Sequence, residues 1–214
     1  MRPAVPGPAA RALLLCLLLL PAAGCVEKAQ GEPSPEPRAY AAADLADIVL
    51  RDDERPDGTE PRPDRSGFLD AERFWPSSCC LGIQESFERA GFRVAHLKVF
   101  ERPGHSADPI DTRPGWEVAV SSAVLFLDED GAHEALDTWV DYYRAPGVDP
   151  VNVGNLGDEA VELVGSPASP AERVYLFVWR RDRLLLSLRA STGYGTVSAP
   201  AVRRLVDRMD DRAS

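Results

Sequence analysis

The chain has 214 residues, a length that suits one domain with a sizeable core, and 34 acidic against 24 basic residues give it a net charge of −10. That balance argues against nucleic acid or an anionic lipid surface as a partner, since both are held chiefly by clustered Lys and Arg. Lys28 and Lys98 are the only lysines, so neither a P-loop nor an S-x-x-K motif can be written.

At the N-terminus Arg2 and Arg11 accompany an apolar run, Ala12 to Leu20, that is too short to cross a bilayer. Pro21 and the small residues Ala22, Ala23 and Gly24 then lead into Cys25. This arrangement resembles a bacterial lipoprotein signal with its lipobox, Ala22 standing where the commonest form has Leu. The resemblance implies cleavage before Cys25 and a diacylglyceryl group on its sulfur, because two acyl chains anchor stably where one is marginal. The body would then sit on the extracytoplasmic face of the cell membrane. An ordinary secreted protein, with Cys25 incidental, is the alternative. Residues 1–24 are accordingly read as signal peptide, 25–38 as lipidated cysteine and tether, and 39–214 as a single domain.

The tether reads VEKAQGEPSPEPR over residues 26–38, rich in Pro and Glu and nearly free of apolar residues, so it cannot pack a core. At about 3.1 Å per residue it would hold a domain about 40 Å from a membrane. Cys16 is discarded with the signal, which leaves the adjacent pair Cys79 and Cys80. Neighbouring Cα atoms lie about 3.8 Å apart, below the usual disulfide range of about 4.4–6.8 Å, so a bridge between them would be strained, easily reduced and a candidate redox switch. Two unpaired thiols beside a turn is the competing reading.

Further along, Leu45, Ile48 and Val49 share one face of a helix expected over Ala41 to Leu50, and Arg51 to Ser66 reads as a long acidic, Pro-rich loop. Helices are expected over Gly67 to Trp75 and Leu81 to Ala90, separated by Pro76 and stopped at Gly91. Phe92 to Glu101 and Gly115 to Leu127 read as strands. Asp128, Glu129 and Asp130 place negative charge at the start of the best helix, in which Ala132, Ala135, Leu136, Trp139, Val140 and Tyr143 follow helical spacing to a stop at Pro146-Gly147. Three strands follow, Glu159 to Val164, Arg173 to Arg180 and Arg183 to Ala190, the last two joined by a turn at Arg181-Asp182. A final helix is capped by Ser198, carries Pro200 in its first turn and turns Val202, Leu205, Val206 and Met209 inward.

This order predicts an α+β domain, a mainly antiparallel sheet of about five strands with helices packed on one face. Val174 to Trp179 is apolar on both sides, which makes it a central strand. The segment Val153-Gly154-Asn155-Leu156-Gly157-Asp158-Glu159-Ala160, the helix Gly131 to Tyr143 before it, and Val178-Trp179-Arg180-Arg181 with the Leu-rich strand beyond resemble an uncharacterised actinobacterial lipoprotein family. They are more distantly similar to the extracellular sensor domains of mycobacterial serine/threonine kinases. The resemblance covers the second half of the chain, implies an extracytoplasmic α+β domain, and carries over no catalytic residue.

Enzyme motifs are approached and missed. His133-Glu134 begins an H-E-x-x-H zinc helix, but position 137 is Asp. Asp128-Glu129-Asp130-Gly131 lacks the bidentate Glu of a calcium loop and is better explained as a helix cap. His96, His105 and His133 match no ligand spacing with Cys79 or Cys80, and Leu156 to Glu159 reads as a turn rather than a ligand loop. Tyr175, Phe177 and Trp179 form a stripe that suits core packing better than a stacking platform. The expectation is a non-enzymatic, lipid-anchored binding or sensor-like module with no cofactor or metal, contacting an envelope component or partner protein. Its alternative is a small-molecule or lipid carrier, which needs a cavity between sheet and helices; an envelope hydrolase comes third.

Overall fold

The computed structural model describes residues 39–104, 114–144, 148–165, 173–193 and 197–214. The signal, Cys25, the tether, His105 and Pro146-Gly147 lie outside them. Along the chain come α1 (Leu45–Ile48), β1 (Glu60–Pro61), β2 (Gly67–Leu69), α2 (Ala71–Phe74), α3 (Ser77–Arg89), β3 (Phe92–Glu101), β4 (Gly115–Phe126), α4 (Glu129–Tyr143), β5 (Val151–Asn152), β6 (Glu159–Gly165), β7 (Arg173–Arg181), β8 (Leu184–Gly193) and α5 (Ala199–Ala213). One sheet runs β1-β3-β4-β8-β7-β6-β5, with β2 also on β3, and every pairing is antiparallel.

The fold is α+β, and the sheet has eight strands among the described residues where about five were expected. The extra ones, β1, β2 and β5, are two or three residues long and pair at the sheet's margins. Segments that short carry no alternation to read. A second correction concerns the layers, since elements cover both faces of the sheet rather than one. Ala95, Val124, Phe126, Leu163, Leu176, Val178 and Leu185 face α3 and α4 in one core cluster. Ala119, Ala123, Tyr175, Phe177, Trp179, Leu184, Leu186 and Leu188 face α5 and the segment from Tyr40 to Leu50 in another. A strand that is apolar on both sides needs both faces covered, and β7 alternates between the two clusters residue by residue.

The N-terminal segment is irregular where a ten-residue helix was expected: a 3₁₀ turn over Ala42–Asp44 leads into the four residues of α1. Tertiary bonds compete for the backbone that would have continued the helix. The Arg212 guanidinium of α5 donates to the carbonyls of Ile48 and Val49 at 2.9 and 3.0 Å and to Glu54 at 2.7 Å. Burial works to raise the Glu54 carboxyl, but the hydrogen bond and charge of Arg212 and the Arg51 backbone N–H bring it below its ordinary value. Tyr40 closes the packing by donating to the Ala213 carbonyl at 2.5 Å.

Gly67 to Trp75, expected as one helix, divides into β2 and α2. Asp70 accepts from the Arg73 backbone N–H at 2.9 Å, so the helix begins only there. In β2, Phe68 sits opposite His96 with the ring centroids 4.7 Å apart and nearly perpendicular. Burial, and secondarily the charge of Lys98, holds His96 below its ordinary value, and its Nδ1 is buried without a hydrogen-bond partner among the described residues. A base whose pKa is depressed by folding contributes stability that is complete above its unfolded pKa of about 6.5 and is lost as pH falls through the folded value. Thermal denaturation between pH 7.5 and 5 is therefore expected to show a falling Tm, with a shallower fall in His96→Gln. An equal slope in both proteins would remove His96 from the account.

Candidate functional site

Between the α3–α4 face of the sheet and the helices lies a half-open cavity of about 180 Å³. Sheet register builds its floor: Leu97 of β3 pairs with Ser122 of β4, and Ser122 with Ser187 of β8. One step along, Val120 pairs with Arg189, which pairs with Leu176 of β7. The roof comes from Arg73 and Phe74 of α2, Trp75 just beyond it, and Trp139 and Tyr143, one helical turn apart on α4. Leu69 closes one side.

The space exists because serine occupies the two central floor positions. Ser122 and Ser187 are buried, and their hydroxyls bond each other at 2.7 Å, which satisfies them without filling the room a Leu would take. Above them the aromatic rings brace one another. Trp75 stands edge-on to Trp139 with centroids 5.4 Å apart, and Phe74 to Trp139 at 5.7 Å. Both indoles are buried, and among the described residues neither Nε1–H has a hydrogen-bond partner. Tyr143 is half-buried; burial pushes its hydroxyl up, and the positive charge of nearby Arg189 draws it back. Arg73 and Arg189 are exposed, so the cavity reaches solvent through two guanidinium groups.

Cys79 and Cys80 are disulfide-bonded at the start of α3, where Cys80 departs from helical geometry with φ −139° and ψ 30°. Successive Cβ atoms diverge around a regular helix, so a bridge between neighbours requires that departure. The Cys80 sulfur lies 3.6 Å from the Tyr142 hydroxyl, and Tyr142 stands edge-on to Trp75 with the centroids 5.4 Å apart. The disulfide thus stands one ring away from the cavity without lining it.

Other sequence candidates fall elsewhere. His133 bonds Glu159 at 2.8 Å on the surface, and Asp128 caps α4 by accepting from the Gly131 N–H at 2.9 Å. Among the described residues no three His, Cys, Asp or Glu side chains gather as metal ligands. Tyr175, Phe177 and Trp179 lie buried under α5, remote from the cavity face. In the Leu156–Glu159 turn, Gly157 has φ +57° and Asp158 accepts from the Asp182 N–H at 2.6 Å. Gly157 meets the carboxylate of Asp210, which also receives the Trp179 indole at 3.1 Å and Arg181 at 2.7 and 3.0 Å. That turn ties α5 to the sheet.

Sequence reading placed Trp139 and Tyr143 on one helical face but did not join them with Phe74 and Trp75 into a site. A usable signal was present in the interruptions. Ser122 breaks the apolar row Val118, Val120, Val124 and Phe126, while Ser187 and Arg189 follow Leu185 on the face of β8 opposite Leu184, Leu186 and Leu188. Only the β4–β8 register sets those interruptions side by side.

No family model matches the chain, and no curated protein matches it. A solved structure does. The extracellular domain of PknH from Mycobacterium tuberculosis is similar at a TM-score of 0.48 and 13% sequence identity, the match covering 82% of this chain and 97% of that one. Among the described residues no helix is long and apolar enough to cross a membrane.

Proposed function

We propose that this chain is an extracytoplasmic binding module, anchored through lipid on Cys25, and that it binds a small molecule in the cavity under α2 and α4. The observation that carries the reading is the cavity itself, an aromatic roof of Phe74, Trp75 and Trp139 over a floor that the small Ser122 and Ser187 leave unfilled. Unfilled space among apolar rings forgoes packing contacts, and a flat apolar ligand recovers them. The volume also chooses between the carrier readings. About 180 Å³ is close to the roughly 150 Å³ space that admits benzene and below the roughly 300–1,000 Å³ of drug-sized sites, so a compact molecule suits it better than a lipid. A partner protein or envelope component, the first expectation from sequence, would instead use exposed apolar side chains such as Leu81, Leu127 and Tyr142.

The test is titration with compact aromatic probes, followed by tryptophan fluorescence and thermal shift. Binding should raise Tm in proportion to the logarithm of probe concentration. The double variant Ser122→Val with Ser187→Leu fills the floor and removes both hydroxyls together, so neither is left unpaired. It should fold and lose the response; an undiminished response would place binding elsewhere. For the anchor, Cys25→Ala should release the protein from the membrane fraction, and full membrane retention would refute lipidation as the attachment.

A further inference from the structure

We infer that the cavity selects a small organic carboxylate with a flat apolar body of about benzene size, its body among the Trp75, Trp139 and Phe74 rings and its carboxylate at the Arg73–Arg189 mouth. This rests on the cavity being the binding site.

The first argument is an inventory of donors and acceptors. The polar side chains among the residues lining the cavity are Arg73, Arg189, the paired Ser122 and Ser187, and Tyr143, beside the rings of Trp75 and Trp139. Guanidinium donates only, while hydroxyls can do either. A serine pair sharing one hydrogen bond has a second O–H left to give. No Asp, Glu, Asn or Gln lines the cavity. Such a wall is matched by a ligand that accepts, and a carboxylate is an acceptor on both oxygens.

The second argument is charge. In a chain of net charge −10, acidic side chains are plentiful and arginines are commonly paired: Arg62, Arg180, Arg181, Arg203 and Arg212 all meet carboxylates. Among the described residues neither Arg73 nor Arg189 makes a side-chain ion pair, although each opens on the one cavity described. β8 places Arg189 on the same face as Leu185 and Ser187, where the sheet is otherwise apolar, next to Val120 and Leu176. A guanidinium there is available for a planar carboxylate, which it meets through two parallel hydrogen bonds.

The competing ligand is a cation. Clustered aromatic rings bind ammonium groups through their negative faces, and Trp is the best of them. Two guanidiniums at the same mouth oppose a cation by like charge, which turns the preference to an anion.

Three probes with one body separate these outcomes: phenylacetate, 2-phenylethanol and phenethylammonium, each titrated into the intact 39–214 domain and the full chain by calorimetry and tryptophan fluorescence. A charge-assisted pair contributes about 1.5–3 kcal/mol, so phenylacetate should bind at least tenfold more tightly than 2-phenylethanol, and phenethylammonium more weakly than either. In Arg189→Gln the advantage of phenylacetate should shrink below threefold; Arg189→Lys should keep part of it. Equal or tighter binding of the alcohol or the ammonium would overturn the carboxylate assignment and leave the cavity reading standing. An undiminished preference in Arg189→Gln together with Arg73→Gln would overturn it as well. Failure of all three probes would bring down the cavity reading itself.

Discussion

Asp210→Ala is expected to lower stability by about 3 kcal/mol, with a Tm about 6–12 °C below that of the parent protein. Asp210 is 9% exposed, and its carboxylate accepts four hydrogen bonds: from Arg181 through Nε at 3.0 Å and through its terminal nitrogen at 2.7 Å, from the Trp179 indole at 3.1 Å, and from the Gly157 backbone N–H at 3.4 Å. Its hydrogen bond, opposed by burial and aided by its charge, raises Arg181 above the ordinary guanidinium value. Truncation leaves a guanidinium and a buried indole without their acceptor, which is the costly way to break such a pair. Arg181 is partly open to water, which holds the loss to the low end for buried pairs. Asp210→Asn keeps an acceptor for Trp179 and loses the charge, so it should fall between. A Tm change under 2 °C for Asp210→Ala, by calorimetry, would mean that α5 is held by apolar packing alone.

Gly131→Ala sets two effects of opposite sign against each other. Alanine is the better helix former by about 1 kcal/mol, so on propensity alone the change within α4 would stabilise. Packing opposes it: a Cβ at Gly131 would stand 1.9 Å from the Ala90 carbonyl oxygen, far inside the roughly 3.0 Å that real Cβ atoms keep. The obstacle is backbone at the end of α3, with no flexible side chain to swing away. Separating the two helices by about 1 Å costs the upper part of the 1–3 kcal/mol range for overpacking, or more. The net expectation is destabilisation by about 1–2 kcal/mol, a Tm lower by about 2–8 °C. Because Trp139 and Tyr143 travel with α4, the shift also distorts the cavity roof, and probe affinity should fall with it. A stabilised variant would show that the helix junction yields easily.

These two positions mark what could be read from residues in order. Gly131 passed as part of an acidic helix start, which is correct for Asp128 as a cap, yet the nearness of Ala90 belongs to a helix that ends forty residues earlier. Asp210 lies on the C-terminal helix beyond its inward Val202, Leu205, Val206 and Met209, and nothing local sets it apart from Asp207 or Asp211. Its meaning comes from Trp179 and Arg181, some thirty positions away. Gly157 and Asp158 make Leu156 to Glu159 legible as a turn, and the chain does turn there, but its anchorage to Asp210 has no local signal.

Sequence by itself determined the long strands β3, β4, β6, β7 and β8 and the helices α4 and α5, because alternation and helical spacing sustained over seven residues or more outweigh local noise. It also determined that β7 is apolar on both sides, although the expectation was helices on one face and only the fold shows both faces covered. Tertiary structure alone decided the rest. Short margin strands form only where a neighbour offers hydrogen bonds, and the N-terminal segment stays irregular because Arg212 claims its carbonyls. The cavity arises from register: only the pairing of β4 with β8 brings Ser122, Ser187 and Arg189 together beneath Trp75 and Trp139. Local propensity is written residue by residue, whereas a site of this kind depends on which distant residues share a face, and that is fixed only when the chain folds.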